Sequence, residues 1–253
     1  MAMGGRHGLA RLGEWLACAI KAAVLMAAMG WVCGDAYADA GSSGIFDFRL
    51  ANADWIDWNG DNFFAPCQGD CSVSLYGGRE VTTGMERVFW IKRPPTFAWQ
   101  WHWRDSYIVA GSFSRRLVTF WNALSIEPEF GVAKRFDKMR AAEVWAALNI
   151  RWTQFPWNNY VKTSIGISEG ISQTTKLDAN ERMLNNFKVV GNHLVFNGSN
   201  FMNFFTPEAT FALPQYDAYE LLVRFHHRSG ILGVINGVHS GAQFFTAGLR
   251  VHF

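Results

Sequence analysis

Long apolar runs are missing from most of the sequence. After residue 38, no segment approaches the roughly 18 continuous apolar residues that suggest a membrane-spanning helix. A large charge of one sign is missing as well, because 23 basic and 21 acidic residues leave a formal net charge of +2. The sequence therefore argues against spanning helices, and its charge gives no reason to expect nucleic acid as a partner.

The N-terminal region has its own pattern. Three basic residues, Arg6, Arg11 and Lys21, precede an apolar run over 22–32, and small residues at 36 and 38 form an A-x-A motif. This order is typical of a secretory signal peptide, so we expect residues 1–38 to be removed on export. The alternative is a short membrane anchor, but the apolar run is only about half the roughly 20 residues that a spanning helix needs.

Cysteine is scarce, with four in the chain and only Cys67 and Cys71 after residue 38. In an oxidising periplasm, the CQGDC spacing predicts a local disulfide. The alternative, half of a zinc site, lacks a second pair of ligands. Residues 39–71 are rich in Trp, Asp and Asn, and we expect them to form a periplasmic N-terminal extension.

Apolar and polar residues alternate repeatedly in the rest of the chain. In 124–133, for example, Leu124, Ile126 and Phe130 share one face while Ser125 and Glu127 share the other. Eight segments have strand character: 72–79, 106–116, 124–135, 141–153, 161–171, 200–212, 218–229 and 242–253. An even number of such strands is typical of bacterial outer-membrane barrels.

The fold class predicted from this pattern is all-β, an eight-stranded antiparallel transmembrane β-barrel over residues 72–253 in the bacterial outer membrane. A soluble sandwich would alternate too, with its apolar face inside. Three features favour the barrel: long and short joins largely take turns, aromatic residues gather at the short-turn ends of strands, and the last amphipathic strand ends on Phe253.

The stretch FHHRSG places an unusual pair on a predicted strand. Alternation puts His227 and Ser229 on the same face as Leu221, Val223 and Phe225, which would be the lipid-facing side near the outer leaflet. Residues i and i+2 have Cα atoms roughly 6.5 Å apart, within side-chain reach. A serine hydroxyl becomes a useful nucleophile when an adjacent base takes its proton, so the pair predicts an esterase-type site.

The C-terminal region resembles a known family. A His-x-Ser on the penultimate strand, a following loop with Asn and Gly, and a final strand ending in Phe are similar to the lipid A 3-O-deacylase (PagL-type) family, best over residues 217–253. The resemblance implies an eight-stranded outer-membrane barrel with a serine-esterase site on its outside wall. It further implies lipid A in lipopolysaccharide as partner, His227 as general base and Ser229 as nucleophile.

The resemblance also assigns the supporting residues. Gly230 stands where the family has an Asn, and Asn236 matches a second family Asn, so we expect Asn236 and the backbone near Gly230 to stabilise the oxyanion and position substrate. His239 stands where the family has an acidic residue and is the expected orienter of His227. Glu80, at the outer end of the first strand, is an alternative orienter.

Other interpretations concern the remaining histidines and charges. Alternation sends His226 inward and His227 outward, so one metal ion could not readily bind both, and we expect no metal and no cofactor. The inward acidic and basic residues predict an ion-pair network that fills the narrow lumen, with a proton or sugar site as the alternative.

A second function also fits the sequence: a non-catalytic outer-membrane barrel that binds lipid or a partner. The aromatic stretch FWIKRPPTFAWQWHW, in the join 80–105, would then lie at the lipid headgroups, whereas as an ordered lid it would cover the barrel mouth. Of these two placements the sequence favours the lid. It leaves a homodimer open.

Overall fold

The computed structural model describes residues 55–58, 66–89, 91, 94, 96–137, 140–177, 187–190, 193–196, 198–231, 234, 235, 238 and 241–253. The expected signal peptide over 1–38 and most of the expected extension over 39–71 lie outside these residues. No helix within the described ranges is long and apolar enough to cross a membrane.

Eight long strands form the barrel. They are β2 (Cys71–Val81), β3 (Trp103–Arg115), β5 (Leu124–Asp137), β6 (Ala142–Trp152), β7 (Lys162–Thr174), β10 (Phe201–Ala212), β11 (Tyr219–Ser229) and β12 (Gly241–His252). Each pairs antiparallel with the next, and β12 pairs with β2. The sheet therefore closes on itself as predicted, with bounds within a few residues of the expected ones.

Shorter elements decorate the two ends of the barrel. At the end with the short joins, β1 (Ile56–Trp58) pairs with β4 (Val118–Phe120). At the other end, α1 (Met85–Val88) follows β2, and β8 (Phe187–Val190) pairs with β9 (His193–Phe196) in the join between β7 and β10. Outer-membrane barrels have short periplasmic turns and longer outer loops, so the end with α1, β8 and β9 is the cell-surface end.

The barrel is apolar outside and charged inside. Outward side chains such as Val144 and Ile150 are 51% and 48% exposed, whereas the inward Arg135, Arg228 and Glu143 are at most 1% exposed. A soluble sandwich has the opposite arrangement, so that alternative is excluded. A closed barrel leaves no unpaired sheet edge in lipid, and the protein is accordingly a bacterial outer-membrane barrel.

A disulfide joins Cys67 to Cys71 where the chain enters β2, which confirms the predicted local bridge. The Asp70 carboxylate beside it accepts a hydrogen bond of 2.8 Å from Arg115 Nε on the neighbouring strand. The two sulfur atoms are covalently paired and are not thiolate ligands for a metal. The disulfide therefore ties the residues just before β2 to the periplasmic end of the barrel.

The assignment of the outward apolar side chains to lipid can be tested at Ile167. This residue lies in the middle of β7 and is 44% exposed on the outward face. We expect Ile167→Arg to lower the free energy of unfolding in liposomes by about 2–4 kcal/mol, because a charge near the bilayer midplane loses its hydration. Tyr160→Arg, in the short join after β6 where the side chain is 80% exposed, should have little effect. An equal loss of unfolding free energy in both variants would contradict the assignment of Ile167 to the lipid-facing surface.

Candidate active site

The segment YELLVRFHHRS forms β11 and places its side chains on two contrasting surfaces. Arg224, His226 and Arg228 point into the lumen and are at most 2% exposed. His227 and Ser229 belong to the opposite, outward face, where both are half-buried at the cell-surface end of the strand. This is the orientation predicted from alternation, and their catalytic roles stay predictions.

The environment of His227 is set by its two neighbouring strands. The register places it between Phe205 on β10 and Gln243 on β12. Its Nδ1 atom is buried and has no hydrogen-bond partner among the described residues. The large majority of buried side-chain polar atoms in folded proteins are hydrogen-bonded, so the unpartnered Nδ1 of His227 needs an explanation.

Ser229 lies one step nearer the cell surface, between Asn203 on β10 and Gly241 on β12. Its Oγ accepts a hydrogen bond of 3.4 Å from the backbone N–H of Ile231. Within the described part of the chain, no hydrogen bond joins this Oγ to His227. The two side chains thus share a face and are within reach of each other, but the hydrogen bond between them is not formed in this state. Such contacts often tighten only when substrate binds.

A second polar pair on the outer wall adjoins Ser229 and was missed by the sequence analysis. Asn203 is only 6% exposed, and its Nδ2 donates a hydrogen bond to Glu169 Oε1 and another, of 3.1 Å, to the backbone oxygen of Gly170. The signal was present in the stretches ISEGI and FMNFF, where a polar residue occupies the outward phase of an apolar strand. The register between β10 and β11, which brings Asn203 beside Ser229, could not be predicted from the sequence.

The join between β2 and β3 packs against the outer wall beside this site. The ring centroid of Phe225 lies 5.4 Å from that of Phe89, and the centroid of Phe245 lies 5.5 Å from that of Trp101. Phe225, although on the outward face, is therefore only 4% exposed. The sequence favoured a lid over the barrel mouth, but these described rings cover the wall next to His227.

Gln243 lies on β12 directly opposite His227 and connects that strand to the β2–β3 join. The side chain is 8% exposed, and its Nε2 donates a hydrogen bond to the backbone oxygen of Thr83. Thr83 is itself held at the base of the join, because its Oγ1 accepts a 2.8 Å hydrogen bond from the backbone N–H of His102. Gln243 is therefore fixed from the β2 side of β12, while His227 lies on the β11 side.

One of the expected supporting residues, Glu80, behaves differently from the prediction. Glu80 was the alternative orienter, but it points into the lumen, is 1% exposed and lies 3.7 Å from Arg104, so the sheet separates it from the outward His227. At Gly230, a Cβ atom would come within 2.1 Å of the Val238 backbone oxygen. The Asn of the family could not be accommodated there, and only the backbone of Gly230 is available. The expected orienter His239 and the expected oxyanion residue Asn236 lie outside the described residues.

The lumen holds an ion-pair network, as the inward charges predicted. Arg224 donates to Glu129 Oε1 at 2.8 Å and to Glu208 Oε2 at 2.5 Å, and Arg250 donates to Glu127 Oε2 at 2.6 Å. These side chains are at most 5% exposed. They fill the interior, so chemistry on a membrane substrate has to take place on the outer wall or in the loops.

His226 belongs to this lumenal network and not to the outer wall. Its Nδ1 lies 3.1 Å from the Tyr76 hydroxyl oxygen, and its Nε2 lies 3.3 Å from Glu143 Oε1. The imidazoles of His226 and His227 therefore lie on opposite faces of the sheet, and one metal ion could not bind both.

No protein-family model matches the sequence, and no curated protein matches it. Among solved structures, Neisserial surface protein A is similar at 10% identity over 74% of this chain and 98% of that one, with a TM-score of 0.41. The outer membrane enzyme PagL is similar at 11% identity over 72% and 98%, with a TM-score of 0.41. Ail of Yersinia pestis is similar at 10% identity over 74% and 100%, with a TM-score of 0.35. These likenesses leave the function of the chain open.

Proposed function

We propose that this protein is an outer-membrane ester hydrolase that removes an acyl chain from lipid A. The observation that carries the proposal is the position of Ser229 and His227, two residues apart on the outward face at the cell-surface end of β11. Lipid A is an acylated glycolipid of the outer leaflet, so its ester groups lie at the level of this pair. The PagL-type resemblance of residues 217–253 supports the same assignment.

The reaction follows from the chemistry of the two side chains. His227 takes the proton of the Ser229 hydroxyl as Oγ attacks the ester carbonyl, and a tetrahedral oxyanion forms. Its collapse breaks the ester bond, and His227 returns the proton to the departing sugar oxygen. Water, deprotonated by His227, then attacks the acyl-serine. The bond between the acyl carbon and Ser229 Oγ breaks, His227 returns the proton to Oγ, and the fatty acid is released. The net change is ester plus water to carboxylic acid plus alcohol.

Stabilisation of the oxyanion requires hydrogen-bond donors beside Ser229. Gly230 can offer only its backbone N–H, since its Cβ position is filled by Val238. The backbone N–H of Ile231, which now donates to Ser229 Oγ, is a second donor in the same turn. In this proposal, Asn236 remains the side chain expected to contribute.

The apolar wall beside His227 and Ser229 removes water from around the reacting groups, and this favours the proposed ester hydrolysis. The half-buried rings of Trp101 and Phe245 form an apolar surface below the pair, packed over the buried Phe225, whose ring centroid lies 6.4 Å from that of Trp101. An acyl chain leaving the ester would lie along this surface.

The test is mass spectrometry of lipid A from cells that express the wild-type protein and from cells with an empty vector. We expect the wild type to produce lipid A that has lost one ester-linked acyl chain, together with the matching free fatty acid. Unchanged lipid A, with heat-modifiable mobility on a gel confirming an inserted barrel, would overturn the proposal.

A non-catalytic lipid- or partner-binding barrel is the second candidate. It is favoured by the β2–β3 join, where Trp99 is 79% exposed and stacks on Phe97 with ring centroids 4.8 Å apart. Exposed aromatic rings of this kind suit the membrane interface. Unchanged lipid A in the experiment above would favour this function.

A further inference from the structure

We infer that Gln243 is the residue that orients the imidazole of His227, in the place where an acidic residue would be expected. The inference rests on the proposed function, because it assigns His227 as the general base. Three features of the structure support it: His227 Nδ1 is unpartnered, Gln243 on the adjoining strand carries an amide, and the Thr83 carbonyl fixes which way that amide is turned.

The requirement comes from the histidine. Its Nδ1 is buried with no hydrogen-bond partner among the described residues. A histidine that accepts a proton at Nε2 must carry its own proton on Nδ1, and it does so reliably when Nδ1–H donates to an acceptor. An imidazole without that acceptor spends time in the other tautomer, which cannot act as base at Nε2.

Carboxylates do not meet this need in the described part of the chain. None of them hydrogen-bonds to His227. Glu80 is turned into the lumen, and the outward Glu169 is on β7, separated from β11 by β10 and bound by Asn203. The acceptor must be sought on a strand next to His227.

Gln243 occupies that position. It is the Cα partner of His227 in the β11–β12 register and lies on the same outward face. Directly opposed residues in an antiparallel pair have Cβ atoms about 4.5–5.5 Å apart, so a glutamine amide can reach the imidazole. Phe205, the partner on the other side, has no acceptor atom in its side chain.

The Thr83 backbone oxygen decides the orientation of the Gln243 amide. Since a carbonyl oxygen only accepts, the amide must turn its Nε2 toward Thr83, as the structure has it. Its Oε1 is thereby left as an acceptor on a strand whose other neighbour carries His227, and in this state it is not yet bonded to His227 Nδ1. A neutral amide oxygen can serve as orienter, as the asparagine of Cys-His-Asn sites does.

The first measurement is the tautomer of His227, read from its ring ¹⁵N shifts in histidine-labelled protein refolded in detergent micelles. A His227→Gln variant assigns the signals. We expect the Nδ1–H tautomer in the wild type and its loss in Gln243→Leu, with His239→Asn unchanged. An identical tautomer in the wild type and Gln243→Leu would overturn the inference.

The second measurement is kinetic and separates orientation from structural support. A positioned general base contributes about 10²–10⁴ in rate, so Gln243→Leu should lower kcat roughly 10²-fold with little change in KM. Gln243→Glu keeps an acceptor for His227 but loses the donor to Thr83, and it should retain the tautomer and most of the kcat. If the leucine and glutamate variants lost kcat equally, Gln243 would act only by tethering the join.

Failure of this inference can be told apart from failure of the proposed function. A tautomer that depends on Gln243 in a protein that leaves lipid A intact would uphold the orienting contact and reject the hydrolase. Hydrolysis that depends on Ser229, with a tautomer indifferent to Gln243, would uphold the hydrolase and reject the contact.

Discussion

Replacing Ser229 by alanine should leave lipid A with all of its acyl chains. Without the hydroxyl, no acyl-serine forms, and removal of the nucleophile from such a catalytic unit lowers kcat by on the order of 10⁴-fold or more. The barrel itself should be unaffected, because Ser229 is half-buried on the outward face and, among the described residues, its side chain makes only the 3.4 Å contact from the Ile231 N–H. The measurement is the release of fatty acid from purified lipid A in micelles, together with the molecular mass of the remaining lipid A by mass spectrometry.

The matched control for Ser229→Ala is Val223→Ala on the same strand. Val223 shares the outward face but lies toward the periplasmic end, away from the site. It should keep wild-type kcat, and both variants should fold to heat-modifiable barrels. Hydrolysis that persists in Ser229→Ala would remove this serine from the mechanism.

Replacing Arg224 by leucine should destabilise the barrel by about 3–5 kcal/mol, which is the usual cost of removing one partner from a buried ion pair. Arg224 is 2% exposed, and its guanidinium contacts both Glu129 and Glu208. Without it, two carboxylates would face each other in a lumen with little water. The measurement is urea-induced unfolding in liposomes, followed by tryptophan fluorescence.

The control for Arg224→Leu is an ion pair in solvent. Lys162 and Asp217 form a 2.5 Å pair at the periplasmic end, with side chains 47% and 57% exposed. Lys162→Leu should cost less than about 1 kcal/mol, because water screens the exposed pair. A similar loss in both variants would show that the lumen is wetter than the buried network implies.

The candidate site was predictable where it depends on one strand and unpredictable where it depends on several. His227 and Ser229 are two residues apart, so the period of a β-strand alone puts them on one face. Asn203 and Gln243 belong to other strands, and they come beside Ser229 and His227 only through the β10–β11 and β11–β12 registers. A shift of one residue in either register would turn the opposing side chains to the other face.

The β2–β3 join shows the same limit. Its aromatic composition was evident, but composition does not say which surface it covers. The contacts of Phe89 and Trp101 with Phe225 and Phe245 assign it to the outer wall. Glu80 was misplaced as an orienter for a related reason: its sequence position gave its height in the membrane, whereas its face followed from its pairing with the inward Phe244.

The sequence by itself determined the eight strands, their inward and outward faces, the local disulfide between Cys67 and Cys71, and the serine and histidine on the outer wall. These features depend on neighbours within a few positions, where alternation and spacing are enough. Only the tertiary structure decided which residues oppose His227 on the flanking strands, that Gln243 is held from Thr83, and that the aromatic join covers the wall. Those features depend on register between strands and on the packing of a long loop, which join residues far apart in the chain and leave no periodic trace in it.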